Sequence, residues 1–448
     1  MEAENFLASG FGIRRSLEAR AGWCPLSEQA RVWQPSRLKG IQVGASFGTP
    51  FLGATQVFDL RPMPRKYLAL ERTDDSANRF VSSGTILLSC SGTVGRATVA
   101  HQAHEGVLIS HDLLRVAPLR EDWWGWIYAY LRAPKARAMM NAAQYGHIIK
   151  HLEVAHLNAL PILQLALPVR ERFEERVRRI VSDRRRSVQL TAEAESIYES
   201  AFPSLRPDEP DAAGFEVSAL AMFGSRRRLD AARFVPSVER ALEAFRRDAV
   251  DTVTVSELTR RVFVPGRFKH VYGEGGTPYL DSADVLEVSP DIKKFVLSLS
   301  EEEQEDYRVE PGWLLVPCSG QVYGNIGHSV LATEWHVGKV LTNHIMRICP
   351  SENVRSGYLL CALGHPKLGR PQLVRFAFGS SVPEISPEDV ETAVVPRLAP
   401  RTEERIADLM EEAARARDEA DRLEAAIAAE ADGLIDRFLA GDQEGFEA

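Results

Sequence analysis

Two glycine-framed loops hold the polar side chains best suited to recognition chemistry. They are Ser91-Gly92-Thr93-Val94-Gly95-Arg96 and Ser319-Gly320-Gln321-Val322-Tyr323-Gly324-Asn325. Each follows a short apolar run, Ile86-Leu87-Leu88 or Leu314-Leu315-Val316, that reads as a buried strand bounded by glycine. The loops are therefore turns leaving a sheet, and a tight turn needs no function to explain its glycines. The functional reading adds the exposed side chains. Gln and Asn pair bidentately with adenine, and Arg with guanine, in the major groove of DNA. On this reading Ser91, Thr93 and Arg96 face one ligand, and Ser319, Gln321, Tyr323 and Asn325 face another. Arg37, Lys39, Arg267 and Lys269 lie in matching Pro-x-Arg-x-Lys segments and are candidates for phosphate contacts, which position without specifying. His147, Lys150 and Ser380 complete the candidate set.

Other chemistry finds less support. His147, His151 and His156 lie close together, with His147 and His151 four residues apart, but zinc needs further convergent ligands. The matching stretch from Ser380 to Asp389 has no histidine, so a shared metal site fails and a solvated or DNA-facing cluster is the better reading. Cys90 and Cys318 stand directly after the apolar runs, where small buried core residues outnumber nucleophiles. The chain has no phosphate loop ending in Gly-Lys-Ser/Thr, no GxSxG elbow and no HExxH, which argues against nucleotide hydrolysis and metalloprotease chemistry. It also lacks a dinucleotide glycine fingerprint and an Asn/Asp-Pro-Pro-aromatic motif. No cofactor is expected.

The elements that position these residues come from a chain of 448 residues, a length with a prior of about three domains. Apolar residues make up 45% and charged residues 26%, as in an ordinary soluble protein. Five scattered cysteines without a CxxC pair read as reduced thiols of a cytoplasmic protein. MEAENFLASG does not resemble a signal peptide, and no apolar run is long enough for a membrane helix. Net charge is −8, but residues 1–204 carry 26 Lys and Arg against 20 Asp and Glu, while residues 205–448 carry 28 against 42. Global acidity does not exclude a basic face, since phosphate binding depends on local clusters.

The loops belong to a long internal repeat. Gly48-Thr49-Pro50-Phe51-Leu52 returns as Gly276-Thr277-Pro278-Tyr279-Leu280, and Cys90-Ser91-Gly92 as Cys318-Ser319-Gly320, both at an offset of 228. Pro134-Lys135 and Gly125 return as Pro366-Lys367 and Gly357 at 232. Leu114-Arg115-Val116 aligns with Met346-Arg347-Ile348, and Gly146 with Gly379. The copies open at Phe11 to Ala19 and at Phe223 to Ala231, with Pro236 to Val250 read as an extra stretch in the second. Each copy is expected to be α+β, with a short helix before Pro134 or Pro366. A long helix then follows. Phe173, Val177, Ile180, Ala194, Ile197 and Tyr198 keep helical spacing over 169–202. Ile406, Leu409, Ala413, Ala416, Ala420, Leu423, Ile427 and Leu434 follow a heptad over 402–439. The two helices are expected to pair antiparallel as a coiled coil, with Phe173, Val177, Ile180, Ile406, Leu409, Leu423, Ile427 and Leu434 in the helix or partner interface.

This arrangement resembles the specificity subunit of type I restriction–modification enzymes. The resemblance rests on the Gly-Thr-Pro-aromatic-Leu segment, the apolar run into a Ser-Gly loop, and a globular part that ends in Gly, then Pro, then a long helix. It covers essentially the whole chain, twice, and its specificity lies in the order of weak motifs. It implies two similar target-recognition domains, residues 1–167 and 205–399, related by a pseudo-twofold repeat. Long spacer helices would occupy 168–204 and, with a tail, 400–448. The implied function is non-enzymatic recognition of a bipartite site on double-stranded DNA. The implied partners are two adenine methyltransferase subunits and, further, ATP-driven restriction subunits. The acidic second half and the stretch 236–250 depart from the usual pattern. They leave room for an adaptor of another defence or modification system, and a nuclease or methyltransferase with degenerate motifs is the remaining rival.

Overall fold

The computed structural model describes residues 9–143, 150–205, 214–224, 228–442 and 444–447. It divides into two compact units, Met1–Arg185 with Glu419–Ala448, and Arg186–Asp418. Both are α+β.

In the first unit, α1 (Ser9–Glu18) leads into ten strands: β1 (Trp23–Pro25), β2 (Ala30–Trp33), β3 (Gln42–Val43), β4 (Thr49–Leu52), β5 (Lys66–Leu68), β6 (Ile86–Ser89), β7 (Ala97–Val99), β8 (Leu108–Ile109), β9 (Leu113–Pro118) and β10 (Pro161–Leu163). Between β9 and β10 lie α2 (Trp124–Arg132), α3 (Pro134–Ala143) and α4 (Val154–Asn158), and α5 (Leu167–Ser200) follows β10. The strands form three sheets in the orders β2-β9-β6-β7, β3-β5-β4-β8 and β1-β10. β6 is buried along its whole length, as an unbroken apolar run in a central strand must be.

The second unit repeats this plan. After α6 (Ala219–Gly224) and α7 (Pro236–Asp248) come β11 (Asp251–Thr254), α8 (Val255–Leu258), β12 (Thr259–Phe263), β13 (Tyr272–Leu280), β14 (Lys294–Val296), α9 (Glu301–Gln304), β15 (Leu314–Pro317), β16 (Val330–Leu331), β17 (Val340–Leu341) and β18 (Ile345–Pro350). Then follow α10 (Ser356–Gly364), α11 (Arg370–Val374), α12 (Pro387–Glu391), β19 (Val394–Arg397) and α13 (Pro400–Ala440). The sheet orders are β12-β18-β15-β16, β14-β13-β17 and β11-β19, the same pattern with β3 and β4 fused into β13.

This order corrects the start of the repeat. The helix before the first strand is α1 in one unit and α7 in the other. Residues 236–248 are thus the counterpart of α1, and the additional chain lies before them. α7 buries Val238, Ala241, Leu242, Ala244 and Phe245 and packs on β11 and β19. The short Phe-Gly…Arg-Arg match misleads because its Leu229 is exposed where the matched Leu17 of α1 is buried.

The repeated glycines at 125 and 357 have a packing cause. A Cβ on Gly125 would lie 2.3 Å from the backbone N of Glu174, and one on Gly357 would lie 2.4 Å from the carbonyl O of Ala407. Each short helix crosses its long helix at backbone contact. Each amide then donates to a glutamate of its long helix, Gly125 N–H to Glu174 at 2.9 Å and Gly357 N–H to Glu411 at 3.2 Å.

Within each unit the long-helix segments run antiparallel. In the first, Arg176 pairs with Glu430 at 2.6 Å, and Arg184 with Glu424 at 3.1 Å and with Asp421. In the second, Arg405 pairs with Glu193 at 2.5 Å, and Arg186 with Glu412. The heptad positions do not form a free-standing seam. Phe173, Val177, Ile180, Ile427 and Leu434 share one core with Trp126 and Tyr130 of α2, and partly buried Leu423 packs on it. Ile406 and Leu409 share the other core with Tyr198 and Tyr358. These side chains are spent inside the chain, so a partner would meet other faces of the helices.

Candidate nucleic-acid interface

The two candidate loops hang from the same hydrogen-bond frame. In the first unit Cys90 N–H donates to Asp112 O at 3.0 Å, Gly92 N–H to Lys150 O at 3.1 Å, Gly95 N–H to Ser89 O at 2.9 Å, and Leu152 N–H to Cys90 O at 2.9 Å. In the second, Cys318 N–H donates to His344 O at 3.0 Å, Gly320 N–H to Pro383 O at 3.0 Å, Gly327 N–H to Pro317 O at 3.0 Å, and Ile385 N–H to Cys318 O at 2.7 Å. Each loop is thereby sewn to the segment just before the last short helix of its unit. Gly92, Gly95, Gly320 and Gly327 have φ of 70°, 82°, 130° and 74°, a region that side chains with a Cβ adopt at a cost. The frame explains why glycines recur while the residues between them do not.

Both cysteines at the loop bases are buried, as are the other three, and all five are free. Burial pushes the Cys90 thiol up to about 11 and the Cys318 thiol up to about 12. A thiol held protonated at neutral pH is a core residue and no nucleophile.

The side chains separate into tied and presented groups. Ser91 Oγ lies 3.1 Å from His151 Nδ1, and Ser319 Oγ lies 2.7 Å from His344 Nδ1. Arg96 is half-buried with its guanidinium 4.0 Å from the centre of the Phe58 ring, which fixes it against the sheet. Lys150 is half-buried and meets the loop through its carbonyl. Thr93, Gln321 and Tyr323 are exposed, Asn325 is half-buried, and Tyr323 retains 71% of its surface. Ser380 is exposed in a tight loop closed by paired backbone bonds between Phe378 and Glu384 at 2.8 and 3.0 Å.

Arg37, Lys39, Arg267 and Lys269 are all exposed. In the first unit their segment is anchored beside the loop base, because Gln34 Nε2 donates to His111 O at 2.7 Å and to Cys90 Sγ at 3.4 Å. Arg79 then holds the Ser36 carbonyl at 2.7 Å. In the second unit Phe268, between Arg267 and Lys269, packs edge-on against Tyr307 with ring centres 4.7 Å apart. His147 lies outside the described residues. Among the described residues no group of three or more His, Cys, Asp or Glu could hold a metal ion. His156 Nδ1 instead accepts the Glu153 N–H at 3.3 Å.

Two arginine pairs escaped the sequence reading of the site. Arg115 and Arg347 are fully buried. Arg115 donates to Ile109 O and Ser110 O, each at 2.9 Å, and Arg347 to Leu341 O and Thr342 O, each at 2.9 Å. Burial lowers both guanidinium groups to about 10, still charged at neutral pH. Arg137 and Arg370 approach the loops from the helical side. The signal for Arg115 and Arg347 was their recurrence at the offset of 232 inside a matched segment, whereas Arg137 and Arg370, 233 apart, only stand shortly after the matched Pro-Lys pairs.

No family model and no curated protein matches the chain. Among solved structures it is similar to a type I restriction–modification system S subunit from M. genitalium, at 12% identity over 92% of this chain and 94% of that one, with a TM-score of 0.34. It is similar to an HsdS subunit from Thermoanaerobacter tengcongensis at 13% identity, over 94% and 96%, with a TM-score of 0.28. A chain from a study of complex assembly and conformational transition in the type I R-M system has 13% identity, over 94% and 99%, and a TM-score of 0.30.

Proposed function

We propose that the chain is a DNA sequence-recognition subunit of the type I restriction–modification class. Each unit would read one half of a split site on double-stranded DNA. The long helices would set the spacing and dock two adenine methyltransferase subunits and, in a restricting complex, ATP-driven restriction subunits. The chain itself performs no catalysis on this reading, and its place is the cytoplasm.

One observation supports this reading above the rest. Two units share sheet order and loop-frame hydrogen bonds, yet carry different polar tips, Thr93 in one and Gln321, Tyr323 and Asn325 in the other. A conserved frame with divergent tips is what two readers of different sequences require, since base-edge contacts specify and the frame only positions. Exposed Arg37, Lys39, Arg267 and Lys269 would supply phosphate contacts, with the salt dependence that counterion release imposes.

Methylome sequencing of the source cell with and without this gene tests the proposal. A split adenine-methylated motif should vanish on deletion. An unchanged methylome, or DNA cleavage or methylation by the purified chain alone, would overturn it.

A further inference from the structure

The two reading loops differ in length inside a shared frame. In the first unit the chain leaves the frame at Gly92 and rejoins it at Gly95. In the second it leaves at Gly320 and rejoins at Gly327, four residues longer. Val94 and Ile326, which precede the rejoining glycines, are both buried in their cores, at 3% and 0% exposure. The added length therefore lies between Gly320 and Ile326, where Gln321, Val322 and Tyr323 are exposed.

A glycine-bounded insertion of this kind would ordinarily be pliable. Here Arg370, the first residue of α11, gathers it. Its Nη2 donates to Val322 O at 3.3 Å, Gly324 O at 3.0 Å and Ile326 O at 3.1 Å. The Arg370 backbone is itself held, with its N–H donating to His365 O at 2.9 Å. Gly324 N–H closes the inner turn onto Gln321 O at 2.8 Å. In the first unit Arg137 lies against the shorter loop, where a Cβ at Gly95 would sit 3.0 Å from its Cγ. Beside the inserted turn, the 378–384 loop adds exposed Phe378 and Val382, and its Pro383 is fastened to Gly320.

Resting on the DNA-recognition reading, we infer that Arg370 is the positioning residue of the second unit's reading loop. It presents Gln321 and Tyr323 to one half-site in a single geometry, with the tyrosine ring supplying an apolar part of the readout. Locking the loop before binding removes an ordering cost that a free insertion would incur at each encounter. Gln321 matches adenine, and an apolar surface matches the thymine methyl in the major groove. The first unit, with a loop four residues shorter and Thr93 at its tip, would read its own half-site.

The test uses the full chain assembled with its methyltransferase. Binding motifs are selected from random duplexes for wild type, Arg370→Ala, Arg370→Lys and Tyr323→Ala, and amide hydrogen exchange is followed over 319–327 and 91–96. Both Arg370 variants should speed exchange at 321–326 at least tenfold, leave 91–96 unchanged, and erase base preference in one half of the motif only. Lysine should not rescue, because an ammonium lacks the planar edge by which Nε and Nη2 together hold Ile326 O, at 3.3 and 3.1 Å, while Nη2 also reaches the Val322 and Gly324 carbonyls. Tyr323→Ala, at an exposed position, should weaken preference in that same half without changing exchange. Faster exchange with the motif intact would reduce Arg370 to a brace and overturn the inference. Loss of methyltransferase binding in Tyr323→Ala with the motif intact would make the tip a protein contact and overturn it too. A wild-type complex that selects no motif would overturn the DNA-recognition reading itself, whereas a wild-type motif untouched by every variant would sink only this inference.

Discussion

Arg115 and Arg347 show how a residue type alone misleads. Both are charged in sequence, yet both guanidinium groups lie inside the sheets and gather backbone carbonyls. Arg115→Leu would strand several buried carbonyls together and should cost about 3 kcal/mol, read as a lowered urea midpoint with DNA absent. Arg115→Lys should recover little of it. The histidines give a pH signature. Burial, aided by Arg417 and Lys339, lowers His336 from its ordinary value near 6.5 to about 3, and burial with His104 does the same for His101. The folded pKa lies below the unfolded one, so the unfolded chain binds more protons between these values and stability rises with pH. Stability should therefore be full above about 6.5 and fall as pH drops toward 3. Urea midpoints between pH 7.5 and 5 should decline in wild type and decline less in His336→Gln. An equal decline in both would exclude this residue as a source.

At the scale of elements, the apolar periodicity of the long helices located their buried faces but not what covers them. Leu423 lies on the heptad and is partly buried against a core that also holds Trp126 and Ile427. Leu423→Asp would bring a carboxylate to that core and should cost on the order of 2–5 kcal/mol, with loosened assembly onto partner subunits in size-exclusion chromatography. Unchanged stability and assembly would show that this position carries no packing role. Beside it, Arg184 is buried with Asp421 and Glu424, and Tyr128 donates to Glu424 at 2.6 Å. No heptad rule would place three charged groups there. They can be buried because each has a partner, since an unpaired buried charge is far more costly than a paired one. The glycine match between 125 and 357 was legible as a coincidence of position. Its cause, backbone contact with the long helix, belongs to packing.

For the whole molecule, the proposal is that each unit reads independently. Replacing residues 91–96 should then change one half of the recognised motif and leave the other intact, as selection from random duplexes would show; a change in both halves would contradict independence. Much of this organisation was determined by the sequence itself. The order of repeated glycines, prolines and apolar runs reports backbone needs that are local: a buried run makes a central strand, a positive φ calls for glycine, and a proline closes a helix. Such needs can be read without knowing what packs where. The tertiary structure alone decided the rest, because it depends on residues far apart in the chain. It made α7 the counterpart of α1, turned the heptad faces into parts of two mixed cores, and tied Ser91 and Ser319 to histidines. It also laid Arg96 on Phe58, buried Arg115 and Arg347, and brought Arg370 onto a loop more than forty residues away, at the separation of 46 between Gly324 and Arg370. Hydrogen bonds and burial choose partners by proximity in space, and spacing along a single chain does not encode that proximity.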